Sequence, residues 1–131
     1  MRKMILLCFL LAGLASHRAA LAHEEVLAGS QWVLSDAATA AAPELRFEAG
    51  RVSGSGGCNR FGGRYEQQGS LLRFAPLAAT RMGCPPEVMQ QEQAFFAMLT
   101  KVRRLDMKDG TLTLLDGAGA VLARFMRRGG G

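Results

Sequence analysis

The sequence predicts an α+β fold: a strongly bent antiparallel sheet, or incomplete barrel, of about seven or eight short strands with one helix packed against it. Three observations predict it. Short segments of alternating apolar and polar residues recur along the chain, separated by turn dipeptides such as Ala49-Gly50, Gln68-Gly69 and Asp109-Gly110. One segment alone, after Pro85-Pro86, carries apolar residues at helical spacing. Between the early strands and that helix lies a glycine-rich stretch, Gly50 to Cys84, whose density of glycine suits bends, bulges and close backbone approach.

The chain begins with a segment that is excluded from the fold. Arg2 and Lys3 form a charged start, Met4 to Ala15 an apolar run, and Ala20-Leu21-Ala22 a small-x-small cleavage site, so residues 1–22 read as a secretory signal peptide cut after Ala22. The apolar run is short for a bilayer span. Residues 23–131 then form one domain with its core at about 28–127, in an exported protein that is periplasmic or secreted and without a transmembrane segment. The full chain carries 16 basic and 11 acidic residues; losing Arg2, Lys3 and Arg18 leaves 13 against 11, a net charge of +2. That balance argues against a nucleic-acid partner.

Ala28 to Ser35 reads as the first strand, with Trp32 and Leu34 on one face. Asp36 to Pro43, rich in alanine, reads as a surface loop. Glu44 to Glu48 alternates cleanly, and Ala49-Gly50 turns it into Arg51 to Ser53, with Leu45 and Phe47 facing inward. A second hairpin runs from about Gly62 to Pro76 about Gln68-Gly69. Ala78 to Met82 reads as a further short strand that delivers Cys84. Proline is tolerated in a first helical turn, so a helix begins at Pro85-Pro86 and runs to about Val102. Its apolar arc holds Val88, Met89, Phe95, Phe96, Leu99 and Val102. Arg104 to Lys108, Thr111 to Leu115 and Ala120 to Met126 are the closing strands, joined at Asp109-Gly110 and Asp116 to Gly119; Arg127 to Gly131 reads as a frayed tail. Trp32, Phe47, Phe74, Phe95, Leu99, Leu112 and Leu114 are the expected core.

The chemistry is sparse. From Gly54 and Gly56 the third glycine of a dinucleotide fingerprint would fall on Asn59, no helix pattern follows, and no Gly-Lys-Ser/Thr is present, so the stretch reads as a glycine-bent strand and bulge rather than a phosphate cradle. After the signal only His23 remains, at the expected first position. Zinc sites, Ser-His-Asp triads and Cys-His pairs therefore lack their histidines, and no cofactor or metal is expected. Cys58 and Cys84 are an even pair in an oxidising compartment, the usual setting of a structural disulfide; free thiols or a redox pair are the alternatives. Glu92 breaks the pattern, sitting inside the apolar arc of the helix, where a carboxylate is costly without partners. As a structural clamp it would take donors from the Ser55 to Arg60 backbone and from Asn59, Arg60 and Arg81; the alternative is a catalytic acid or base.

Several of these residues also carry a family resemblance. Trp32-x-Leu34, the G-x-x-G-C-N-R-F-x-G-x-Y run ending at Tyr65, Thr80-Arg81-Met82-x-Cys84, Glu92 with Phe95-Phe96, and Leu112-x-Leu114 resemble the META domain of HslJ-like heat-shock and envelope proteins. The resemblance covers about residues 28–127 and implies an envelope or stress-associated protein, with no enzymatic reaction to carry over. The expectation is a monomeric, non-enzymatic module that binds a peptide, a lipid or an envelope partner. A small periplasmic enzyme centred on Glu92 with Cys58 and Cys84 is the alternative, as is a secreted inhibitor presenting Asp36 to Pro43.

Overall fold

The computed structural model describes residues 27–129. The segment read above as a signal peptide, residues 1–22, and His23 lie outside the described residues. Nine strands and one helix follow in the order β1 (Gln31–Leu34), β2 (Glu44–Glu48), β3 (Arg51–Ser55), β4 (Arg60–Gln68), β5 (Leu71–Phe74), β6 (Ala78–Ala79), α1 (Pro86–Leu99), β7 (Arg104–Lys108), β8 (Thr111–Leu115) and β9 (Val121–Arg127).

Every strand pairing is antiparallel. The order β3-β2-β1-β9-β8-β7-β5-β4 returns on itself because β3 also pairs with β4. Eight strands therefore close into a barrel rather than an incomplete one, and closure removes the free edges an open sheet would expose. Long β4 makes this possible by changing partners along its length. Arg60 to Arg64 pairs with β3, and Tyr65 to Gln68 pairs with β5. Two-residue β6 adds to β4 outside the ring. The narrowest join is β5 to β7, where Leu71 faces Arg104 and backbone bonds run from Leu72 N to Arg103 O and from Leu105 N to Ser70 O.

Alternation in the sequence fills the barrel. Leu45, Phe47, Val52, Leu72, Leu105, Leu112 and Leu114 all point inward and are buried, while their neighbours face out. Of the expected core, Trp32, Phe47, Phe95, Leu99, Leu112 and Leu114 are buried, and Phe74 is half-buried against them. Helix α1 plugs the interior through Phe95, whose ring meets Phe61 of β4 at 5.9 Å and Phe125 of β9 at 6.3 Å, both edge-on.

Four of the differences from the sequence reading have a clear local reason. Strand β1 starts late because residues 27–30 form a turn, closed by Ser30 N on Leu27 O and locked by Trp32 Nε1 donating to Ser30 Oγ at 2.7 Å. Strand β6 stops at Ala79: Thr80 N still bonds to Arg60 O, but at Met82 both backbone groups bond to the Asn59 side chain instead of a ladder. Helix α1 ends at Leu99, with Val102 buried beyond it, as Lys101 N and Val102 N bond back to Met98 O and Leu99 O in tighter turns. Arg127 is not frayed: it pairs with Trp32, and its guanidinium lies 5.5 Å from the Trp32 ring centroid. Arg128 continues the contact, donating its N–H to Gln31 O and pairing its side chain with Glu44.

Candidate functional site

The two ends of α1 carry the two features of interest. At the N-terminal end, proline starts the helix without a side-chain cap, with Pro86 at its first position. One turn on, Gln91 and Glu92 are buried, although both are polar. Glu92, 3% exposed, projects onto the glycine-rich stretch. Its Oε2 accepts from Cys58 N at 3.0 Å and Asn59 N at 2.6 Å, and its Oε1 accepts from Asn59 Nδ2 at 2.6 Å. Successive backbone N–H groups turned toward one anion form a nest.

Two glycines let the chain come that close. A Cβ on Gly56 would sit 2.5 Å from Glu92 Cγ. Gly57, at φ +116°, would place one 2.8 Å from both Ala41 O and Gln91 Nε2, and its backbone conformation itself favours glycine.

Asn59 is the hub. While its amide nitrogen serves Glu92 and Met82 O, its Oδ1 accepts from Thr80 Oγ1 at 2.9 Å and Met82 N at 2.6 Å. Both ends of one side-chain amide are thereby used, tying helix, glycine-rich stretch and the segment after β6 together. These are the bonds that end β6. Beside the hub, Cys58 and Cys84 are joined in a disulfide with Cα atoms 6.1 Å apart.

Of the residues proposed for this cluster, the structure brings Glu92, Asn59, Cys58 and Cys84 together and leaves out two side chains. Arg60 and Arg81 are exposed, and neither guanidinium bonds to Glu92; Arg60 contributes only its backbone, N–H to Thr80 Oγ1 and C=O from Thr80 N. A buried carboxylate can be matched by N–H groups alone, so the arginines keep their hydration. Sequence reasoning also missed Gln91. Its Oε1 accepts from Thr39 N at 2.9 Å and its Nε2 donates to Ala41 O at 2.7 Å, so it pins the 36–43 loop along the helix. Its position beside Glu92 was the available signal.

Chemically, this cluster has little to offer a substrate. Glu92 is engaged by protein donors on both oxygens, and the two sulfurs are bonded to each other. Among the described residues no group of three His, Cys, Asp or Glu side chains could hold a metal ion, and no buried side-chain nitrogen or oxygen lacks a partner.

The C-terminal end of α1 differs. Between it and the β5–β6 connection lies a cleft of about 540 Å³, walled by Phe74, Pro76, Leu77, Phe96 and Leu99. Arg73 and Arg103 also line it. Arg103 Nη1 donates to Thr100 O at 3.1 Å and Val102 O at 2.7 Å, satisfying carbonyls past the helix end and fixing the guanidinium there. The sequence marked Phe74, Phe96 and Leu99 as apolar, but not that the barrel would leave them beside an opening.

Comparison with known proteins agrees with this architecture. No curated protein matches the chain. Among solved structures, it is similar to an NMR structure of a protein from Burkholderia xenovorans, with 27% identity over 80% of this chain and 86% of that one, and a TM-score of 0.67. A second NMR structure is 26% identical over 79% of this chain and 92% of the other, with a TM-score of 0.60. The META domain model matches residues 25–129, a span that takes in the barrel, the plugging helix and the Glu92–Asn59 hub, and the chain belongs to the META-domain family.

Proposed function

We propose that this protein is an exported, non-enzymatic binding module of the cell envelope, and that it holds an apolar group in the cleft beside the C-terminal half of α1. The observation that carries the reading is the cleft itself: at about 540 Å³ and walled largely by aromatic and aliphatic side chains, it has the size and lining of a small-molecule site. Export to the periplasm is supported by the charged, apolar and small-residue pattern of residues 1–22, and by a disulfide, which persists in oxidising compartments. The described helix is not long and apolar enough to cross a membrane. The internal engagement of Glu92 and the bonding of both sulfurs favour binding over catalysis.

The test is retention of a ligand. Native mass spectrometry of protein purified from the periplasm should show a bound apolar mass, and the folded protein should take up the neutral fluorophore N-phenyl-1-naphthylamine saturably. Ala75 lines the cleft and is exposed, and only its backbone N–H is engaged, on Arg64 O. Ala75→Trp should therefore fill the cleft and abolish uptake with the fold intact. Absence of both a retained mass and saturable uptake refutes the reading.

A further inference from the structure

We infer that the occupant is a single-chain anionic amphiphile, a long-chain carboxylate, with its chain in the apolar cleft and its carboxylate held by Arg73 and Arg103. This rests on the reading that the cleft takes an apolar group, and it adds what the head of that group must be.

The argument starts from a second, polar cleft of about 620 Å³, lined by Glu66, Gln67, Gln68, Leu71 and Leu72 together with Arg73 and Arg103. The two arginines line both clefts, so they stand where the apolar opening meets the polar one. A ligand lying across that boundary has an apolar part on one side and meets two positive charges where it emerges.

The arginines are also available. Arg103 commits Nη1 to two backbone carbonyls, which hold it in place, while its Nε and Nη2 have no partner among the described residues. Arg73 forms no ion pair among them, although Glu66 is its cross-strand neighbour. Among the described residues no acidic side chain lines the apolar cleft, and Glu66 is the one acidic residue that lines the polar cleft. Guanidinium groups present forked donors that match a carboxylate, so charge complementarity selects an anion. The cleft volume suits one small molecule, which favours a single chain over a two-chain bilayer lipid.

Displacement of N-phenyl-1-naphthylamine by decanoate, decan-1-ol and decyltrimethylammonium, each below its micelle concentration, tests the inference. Decanoate should bind roughly tenfold or more tighter than decanol, the ratio expected from one charge-assisted hydrogen bond, and the cation weakest. Arg73→Gln should narrow the ratio of decanoate to decanol, Arg103 still holding the carboxylate, and Arg73→Glu should reverse the preference. Arg73 is exposed, so matching thermal melts would show that both variants keep the fold. Equal affinity for decanoate and decanol, or a ratio unmoved by Arg73→Glu, overturns the anionic head and leaves the apolar cleft standing. Failure of all three ligands and of the fluorophore overturns both.

Discussion

The two halves of α1 meet the barrel in opposite ways. The N-terminal half buries two polar side chains, Gln91 and Glu92, and each has its hydrogen-bonding atoms matched by groups from the 39–41 loop or the glycine-rich stretch. The C-terminal half presents Phe96 and Leu99 and stands beside an open cleft. The difference follows from the cost of each kind of burial. A buried polar atom without a partner costs about 1–3 kcal/mol, so that end must be closed and specific in geometry. Apolar surface left uncovered costs only about 25 cal/mol per Å², so the other end can stay open and be covered by a ligand.

Phe95 joins the two halves, and its loss should have the largest effect. Phe95→Ala should cost about 3–5 kcal/mol, the range for deleting a buried aromatic ring, and should loosen clamp and cleft together. Denaturant unfolding measures it; a loss under about 1 kcal/mol would mean that the ring is not the plug.

Removing the disulfide separates the halves. Cys58 and Cys84 are 26 residues apart, and the chain-entropy model gives about 3.5 kcal/mol for that closure. In a Cys58→Ser/Cys84→Ser variant, amide exchange should quicken at positions 58 and 59 ahead of residues 96–99. Equal quickening at both ends would show that they form one cooperative unit rather than two.

Glu92→Gln tests the clamp alone. It should cost about 1–3 kcal/mol, the scale for losing a charged hydrogen-bond partner, and leave fluorophore uptake unchanged. A variant as stable as the parent would remove the clamp from the description of the fold.

The smallest effect concerns the barrel wall, where Tyr65 packs edge-on against Phe47 at 5.0 Å and donates to Glu48 O at 2.8 Å. Burial, with a lesser push from the Glu48 charge, raises its phenol above the ordinary 10.0 despite an opposing backbone bond from Gly50. Because the folded-state value is the higher one, this contribution is fully present below pH 10.0 and is lost as pH rises through the folded-state value. Tyr65→Phe should abolish that alkaline loss while leaving both ends of the helix as they are, and urea midpoints across the alkaline range would show it.

Local pattern determined much of this protein from sequence alone. Period-2 alternation in Glu44–Glu48 and Thr111–Leu115 set which side chains turn inward, because successive strand residues must face opposite ways. Asp109-Gly110 fixed its hairpin because both residues adopt positive φ, 51° and 76°, a geometry few other pairs accept. Glu92 stood out because a carboxylate in an apolar arc requires an explanation, and Asn59 and the glycines nearby were the right place to seek its donors. The tertiary structure decided the rest. Closure of the barrel depends on β4 exchanging partners between β3 and β5, which a list of strands does not contain. Arg60 and Arg81 were indistinguishable from Asn59 as donors until the backbone was placed, since reach and direction, not residue type, select a partner. The cleft was hidden for the same reason: Phe74 and Leu99 read as core and Phe96 as part of the helix's apolar arc, and only the path from β5 to β6 determines that the barrel leaves an opening beside them.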